Sequence, residues 1–269
     1  MNKFLKSFAI GISFLLLLAS ANSFAQTESK NVGIVLLHGK WGNPTGNIKP
    51  LADALRSNGY RVATPLMPWS LKRGYDKPYQ DAISELDEIV STYKSRGVSR
   101  IYVIGTSFGA NGSIAYAAYG NHPIDGVVAI APGQITDQPN FSKNFARDVA
   151  IARDKVKAGM GDEVANYTDT NAGLKKQIDM KASTFLSYFD PNGMGAMSIS
   201  SKKVTQKIPL MVLIGGSHDI AVSLGKNYFF SNWPEHPKNI YATLDGAEHF
   251  TAPEFAIEPI LKWLADQAN

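Results

Sequence analysis

From Val32 to the C-terminal helix the chain alternates short, continuous apolar runs with longer amphipathic stretches, and few folds accommodate that pattern. "VGIVLLHG", "RVATPLMP" (61–68), "RIYVIGT", "GVVAIAP" (126–132), "IPLMVLIGG" and "NIYATLDG" read as six strands. A strand apolar at every position must be covered on both faces, which points to a mostly parallel sheet between helical layers. The intervening "GNIKPLADALRSNGY", "PYQDAISELDEIVSTYKSRG", "FGANGSIAYAAYG", "AVSLGKNYFFSNW" and "PEFAIEPILKWLAD" supply the helices.

The alternation breaks once, over residues 133–208. This insertion carries two stretches of helical spacing, near 141–158 and 171–188, before the loop-like "DPNGMGAMSIS". An insert after the carboxyl end of a strand lies over the ligand crevice of such a sheet, so 133–208 is expected to form a helical cap. Phe185, Tyr188 and Phe189 are expected to pack it onto the core.

The first 25 residues stand apart. Lys3 and Lys6 precede the apolar "FAIGISFLLLLAS", and Ser23 and Ala25 occupy the small-residue positions of a cleavage site. This is the pattern of a signal peptide, and the apolar run is short for a bilayer span. The expectation is an exported chain, periplasmic or secreted, with residues 26–269 as its globular part and no membrane anchor. Without the two lysines the net charge falls from +4 to +2. So mild a balance gives no footprint for nucleic acid. No cysteine occurs, which excludes disulfides, thiolate nucleophiles and zinc–thiolate sites. The sequence contains no phosphate-binding loop, dinucleotide fingerprint or His-Glu-x-x-His, so neither cofactor nor metal is implied.

Gly105-Thr106-Ser107-Phe108-Gly109 is the one G-x-S-x-G in the chain, and it stands between an apolar strand and a helix. In that context the pentapeptide makes a tight turn that lifts the serine out of the sheet. A serine hydroxyl needs a base, and the base needs an orienting carboxylate. Of the five histidines, His249 in "DGAEHFTAPE" occupies the loop after the last strand, on the same edge of the sheet as Ser107. Asp219 in "GGSHDIAV" occupies the neighbouring loop, where it can also cap a helix; Asp245 and Glu248 share the loop of His249 and are badly angled to orient it. Two main-chain N–H groups are needed for an oxyanion. Phe108 offers one, and the loop "LLHGKWGN" offers Lys40 or, one residue later, Trp41. His38 is read as a brace for that loop. Trp41, Trp69 and Tyr75 are candidates to line the pocket, and Arg73 with Asp76 can pin the basic, aromatic loop after the second strand.

Taken together, "VLLHGKWGN", "VIGTSFGANG", "GGSHDI" and "GAEHF" resemble the oxyanion, nucleophile, acid and base signatures of the α/β-hydrolase superfamily, in order and over nearly the whole chain after residue 31. The resemblance implies an α/β-hydrolase fold with a variable cap at 133–208, and Ser107, Asp219 and His249 as a catalytic triad. The implied activity is hydrolysis of a small-molecule carboxylic ester through an acyl-enzyme. The same triad would serve a thioesterase, an amidase or a peptidase, and the same fold can serve a non-catalytic binding protein.

Overall fold

A computed structural model describes residues 31–216 and 219–267; the expected leader at 1–25 and His218 lie outside the described residues. Six strands form one wholly parallel sheet: β1 (Val32–Leu37), β2 (Arg61–Ala63), β3 (Arg100–Thr106), β4 (Gly126–Ile130), β7 (Leu210–Ile214) and β8 (Ile240–Thr243). Their spatial order is β2-β1-β3-β4-β7-β8. The chain therefore steps one way from β1 to β2 and then crosses back past β1 to β3. That reversal leaves a crevice at the carboxyl ends of β1 and β3, the place where open parallel sheets bind ligands.

Because side chains alternate across a pleated strand, each apolar run supplies two cores. Val35, Leu37, Val103, Val127, Ala129 and Val212 face one side. They pack beneath α2 (Tyr79–Ser95) and α3 (Phe108–Tyr119). Ile34, Leu36, Tyr102, Ile104, Val128 and Leu213 face the other. They are covered by α1 (Lys49–Ser57), α9 (Ala252–Phe255) and α10 (Ile257–Asp266). Burying an aliphatic side chain of this size contributes about 1.5–3 kcal/mol, so this double core is what makes the chain fold without disulfides.

Strand β2 and the helix that follows β7 are shorter than their sequence runs suggest. β2 ends at Ala63, before the two prolines of "TPLMP", which cannot donate to a strand ladder. The helix expected over "AVSLGKNYFFSNW" is only α8 (Ile220–Leu224), followed by two 3₁₀ turns, because Gly225 takes φ +63°.

The 133–208 segment is only partly helical. It contains α4 (Pro139–Ser142), α5 (Ala146–Lys157), an antiparallel hairpin of β5 (Val164–Asn171) and β6 (Leu174–Lys181), α6 (Ala182–Phe189) and α7 (Met197–Lys203). The helix expected near 171–188 is thus strand up to Lys181, and the expected loop after residue 190 holds α7. The hairpin turns on Ala172 and Gly173, both at positive φ. Tyr167 of β5 stacks on Phe185, and Phe185 on Phe189, at 4.3 and 4.6 Å between centroids. These rings join the hairpin to α6, and α6 to the core through Tyr188, which contacts Tyr79 and Phe108.

Candidate active site

Ser107 sits between the end of β3 and the first residue of α3 at φ +55°, ψ −118°. A serine there is strained by about 1–3 kcal/mol and persists only when its surroundings fix it. They do. Its N–H donates to the Ile130 carbonyl at 2.9 Å, and its carbonyl accepts from Gly133 N–H at 3.1 Å. The turn also requires bare backbone on either side. A Cβ on Gly105 would lie 1.9 Å from the Gly109 oxygen, and one on Gly109 would lie 2.4 Å from the Leu37 oxygen. The two glycines of the pentapeptide are sterically obligatory.

Three of the residues singled out in the sequence meet at the crevice. His249 Nε2 lies 3.0 Å from Ser107 Oγ, and His249 Nδ1 lies 3.3 Å from Asp219 Oδ2. Asp219 is buried and its carboxylate is held rigidly: Oδ1 accepts from Ala221 N–H at 2.9 Å, capping α8, and Oδ2 accepts from Gly215 N–H at 3.1 Å. Helix capping and contact with the imidazole are thus borne by one side chain. The His249 side chain is a quarter exposed, its ring edge-on to Phe250.

Gly39 brings the loop after β1 against the serine; a Cβ there would be 3.0 Å from Ser107 Cβ. Gly42 N–H closes a turn onto the Gly39 carbonyl at 3.1 Å. Of the two oxyanion candidates in this loop, Trp41 has its N–H committed to the Trp69 carbonyl at 2.8 Å. The main-chain N–H groups of Lys40 and Phe108 donate to no protein acceptor among the described residues. His38 Nδ1 faces the Gly39 carbonyl at 2.8 Å, and Nε2 accepts from Met67 N–H at 3.0 Å, so the ring ties the β1 and β2 loops together. Burial lowers the His38 pKa from its ordinary 6.5, against the pull of its Gly39 hydrogen bond and with help from the Arg73 charge.

A cavity of about 730 Å³ opens over Ser107 and His249. Lys40, Phe108 and Phe250, from outside the 133–208 segment, line one part of it, and Gln134, Phe141, Asn144 and Asn171 of that segment line another. None of the three aromatic residues expected to line the pocket does so. Trp69 is fully buried under α3, its ring 4.9 Å from that of Phe108 and its indole N–H on the His38 carbonyl at 2.8 Å. Gly112 leaves room for it, since a Cβ there would meet the indole at 2.9 Å. Tyr75 and Trp41 turn away from the cavity toward Asp169, each donating to its Oδ2 at 2.7 Å. Arg73 forms the expected pair with Asp76 but also a two-pronged bond to Glu85 of α2, at 2.7 and 2.8 Å.

Asp169 carries no local signal in the sequence, because its side-chain partners Lys40, Trp41 and Tyr75 lie 129, 128 and 94 residues away. Phe250, immediately after His249, had a detectable signal: it shares the loop of the histidine. Among the described residues no group of three or more His, Asp or Glu side chains is arranged to hold a metal ion, and no helix is long and apolar enough to cross a membrane.

Neither a protein-family model nor a curated protein sequence matches the chain. Solved structures do. One of the metagenome-derived lipolytic enzymes LipS and LipT aligns with a TM-score of 0.62 at 15% identity, over 88% of this chain and 94% of that one. Monoacylglycerol lipase from Paleococcus ferrophilus gives 0.59 at 21% identity, over 87% and 94%. Est1E from Butyrivibrio proteoclasticus gives 0.57 at 15% identity, over 88% of each chain. With the parallel six-stranded sheet and the strained serine at the end of its third strand, these likenesses establish that the chain has the α/β-hydrolase fold.

Proposed function

We propose that this chain is a serine hydrolase that cleaves carboxylic esters through an acyl-enzyme. One observation carries the reading: Ser107 Oγ, held up by a strained turn, lies 3.0 Å from His249 Nε2 on the floor of a cavity large enough for a small ester. With Nδ1–H donating to Asp219, the opposite nitrogen accepts the Ser107 proton as Oγ attacks the acyl carbon. The imidazolium is stabilised by the buried carboxylate and returns the proton to the leaving alkoxide. Water then repeats the sequence on the acyl-enzyme and releases the acid. Charge on the tetrahedral oxygen is met by the N–H groups of Lys40 and Phe108, the second at the amino end of α3, where the helix dipole adds to it.

Esters are favoured over other acyl compounds by the company the fold keeps: a lipolytic enzyme, a monoacylglycerol lipase, and Est1E, which has been solved with ferulic acid bound. The basic, apolar and small-residue succession of residues 1–25 supports export to the periplasm or medium. The test is hydrolysis of short p-nitrophenyl esters. Wild type is expected to turn over with a burst of p-nitrophenol, and Ser107→Ala to lose about a thousandfold or more in kcat. Equal turnover by the two proteins would refute the reading.

A further inference from the structure

The 133–208 segment does more than line the cavity: it grips the loop that carries the Lys40 N–H. We propose that Asp169 of β5 is a positioning residue, whose carboxylate holds the Lys40–Trp41 turn so that the Lys40 main-chain N–H faces the oxyanion. The inference rests on the serine-hydrolase reading of Ser107.

Asp169 has no exposed surface, and four donors converge on it. Oδ1 accepts from Lys40 Nζ at 2.7 Å and from Thr170 N–H at 2.8 Å, and Oδ2 accepts from Trp41 Nε1 and the Tyr75 hydroxyl, each at 2.7 Å. The Lys40 ammonium is also buried. It donates to the Thr170 carbonyl at 3.1 Å and lies 5.0 Å from the centre of the Phe189 ring, with Phe108 at 5.6 Å. Burial lowers its pKa and the Asp169 charge opposes that shift.

For stability alone, such a buried pair gains little over apolar side chains of the same size. It does confer position. Lys40 is held at its ammonium by Asp169 and at its carbonyl by Asn171 Nδ2, 3.1 Å away. Trp41 is held at its N–H by the Trp69 carbonyl and at its indole by Asp169. Trp41 needs that hold: it takes φ +59°, a conformation turns ordinarily give to glycine or asparagine. With its anchors gone, Trp41 can relax to negative φ, and the turn from Gly39 to Gly42 swings with it. Among the described residues the Lys40 N–H, beside Ser107, has no protein acceptor, so this grip leaves it turned to the oxyanion. The oxyanion site is thus completed from a hairpin some 130 residues further along the chain.

The test compares wild type with Asp169→Asn, the double variant Lys40→Met/Asp169→Asn, and Trp41→Phe, using p-nitrophenyl acetate and inhibition by phenylboronic acid. The boronate forms a tetrahedral adduct on serine that needs the oxyanion donors, which ground-state binding does not. Asp169→Asn is expected to lower kcat by about 10- to 100-fold, with KM within about threefold of wild type and a parallel loss of boronate affinity. The double variant removes both buried charges and so keeps a folding reference if the single variant is unstable. Trp41→Phe deletes one anchor and no ion pair, and is expected to lose about 3- to 10-fold in kcat. If neither Asp169 variant folds, Trp41→Phe decides alone. Undiminished kcat in a folded variant, or a loss confined to KM, overturns the proposal. These outcomes are distinct from failure of the underlying reading, in which wild type itself neither hydrolyses the ester nor takes a fluorophosphonate on Ser107.

Discussion

Asp219 Oδ2 lies 3.3 Å from His249 Nδ1 while Oδ1 of the same carboxylate caps α8 through Ala221 N–H at 2.9 Å. One side chain therefore serves both the helix and the imidazole, and two substitutions separate the roles. Asp219→Asn keeps an oxygen for the cap but turns an NH₂ toward Gly215 N–H or His249 Nδ1. It is expected to cost about a thousandfold or more in kcat. Its stability should fall by no more than about 1 kcal/mol, since asparagine caps as well as aspartate. Asp219→Ala should lose comparable activity and about 1–2 kcal/mol of stability. Ester turnover and urea denaturation of both variants check this.

His38 gives the fold a dependence on pH. Its neutral ring accepts from Met67 N–H, and burial keeps its folded pKa below 6.5. In the window between the folded value and 6.5 the unfolded chain binds the extra proton, so stability rises with pH there. The stabilisation is complete above 6.5 and is lost as pH falls through the folded pKa. His38→Gln should be less stable than wild type at pH 8, by about 1–2 kcal/mol, and the difference should shrink on acidification. Urea midpoints of the two proteins from pH 8 to pH 5 measure it. A difference constant over that range would contradict the assignment.

Trp69 supports the site from below and does not touch the cavity. Trp69→Phe removes its bond to the His38 carbonyl and leaves a void against Gly112. It should cost about 2–3 kcal/mol of stability while KM for a small ester stays within about threefold. Thermal unfolding and steady-state kinetics test the two halves. A large rise in KM with unchanged stability would return Trp69 to the pocket.

The sheet and the Ser107, Asp219 and His249 loops were legible in the sequence because their signals are local. Apolar strands declare themselves residue by residue, and a G-x-S-x-G at a strand end is a steric requirement of the turn, as the 1.9 Å approach at Gly105 makes plain. The β5–β6 hairpin was not legible. Its outer face is polar, its turn is Ala-Gly and not the favoured Asn-Gly, and one of its inward positions is Asp169, a residue whose burial depends on Lys40, Trp41 and Tyr75. The same long-range bonding draws Trp41 and Tyr75 away from the pocket they were expected to line.

The central claim is that Ser107 is a nucleophile activated by His249. It is tested most directly by intact-mass spectrometry after treatment with a fluorophosphonate. The account predicts one adduct on wild type, mapped to Ser107, none on Ser107→Ala, and labelling slowed by about a hundredfold or more in His249→Ala. Wild type that takes no adduct, or Ser107→Ala labelled at the wild-type rate, would contradict it.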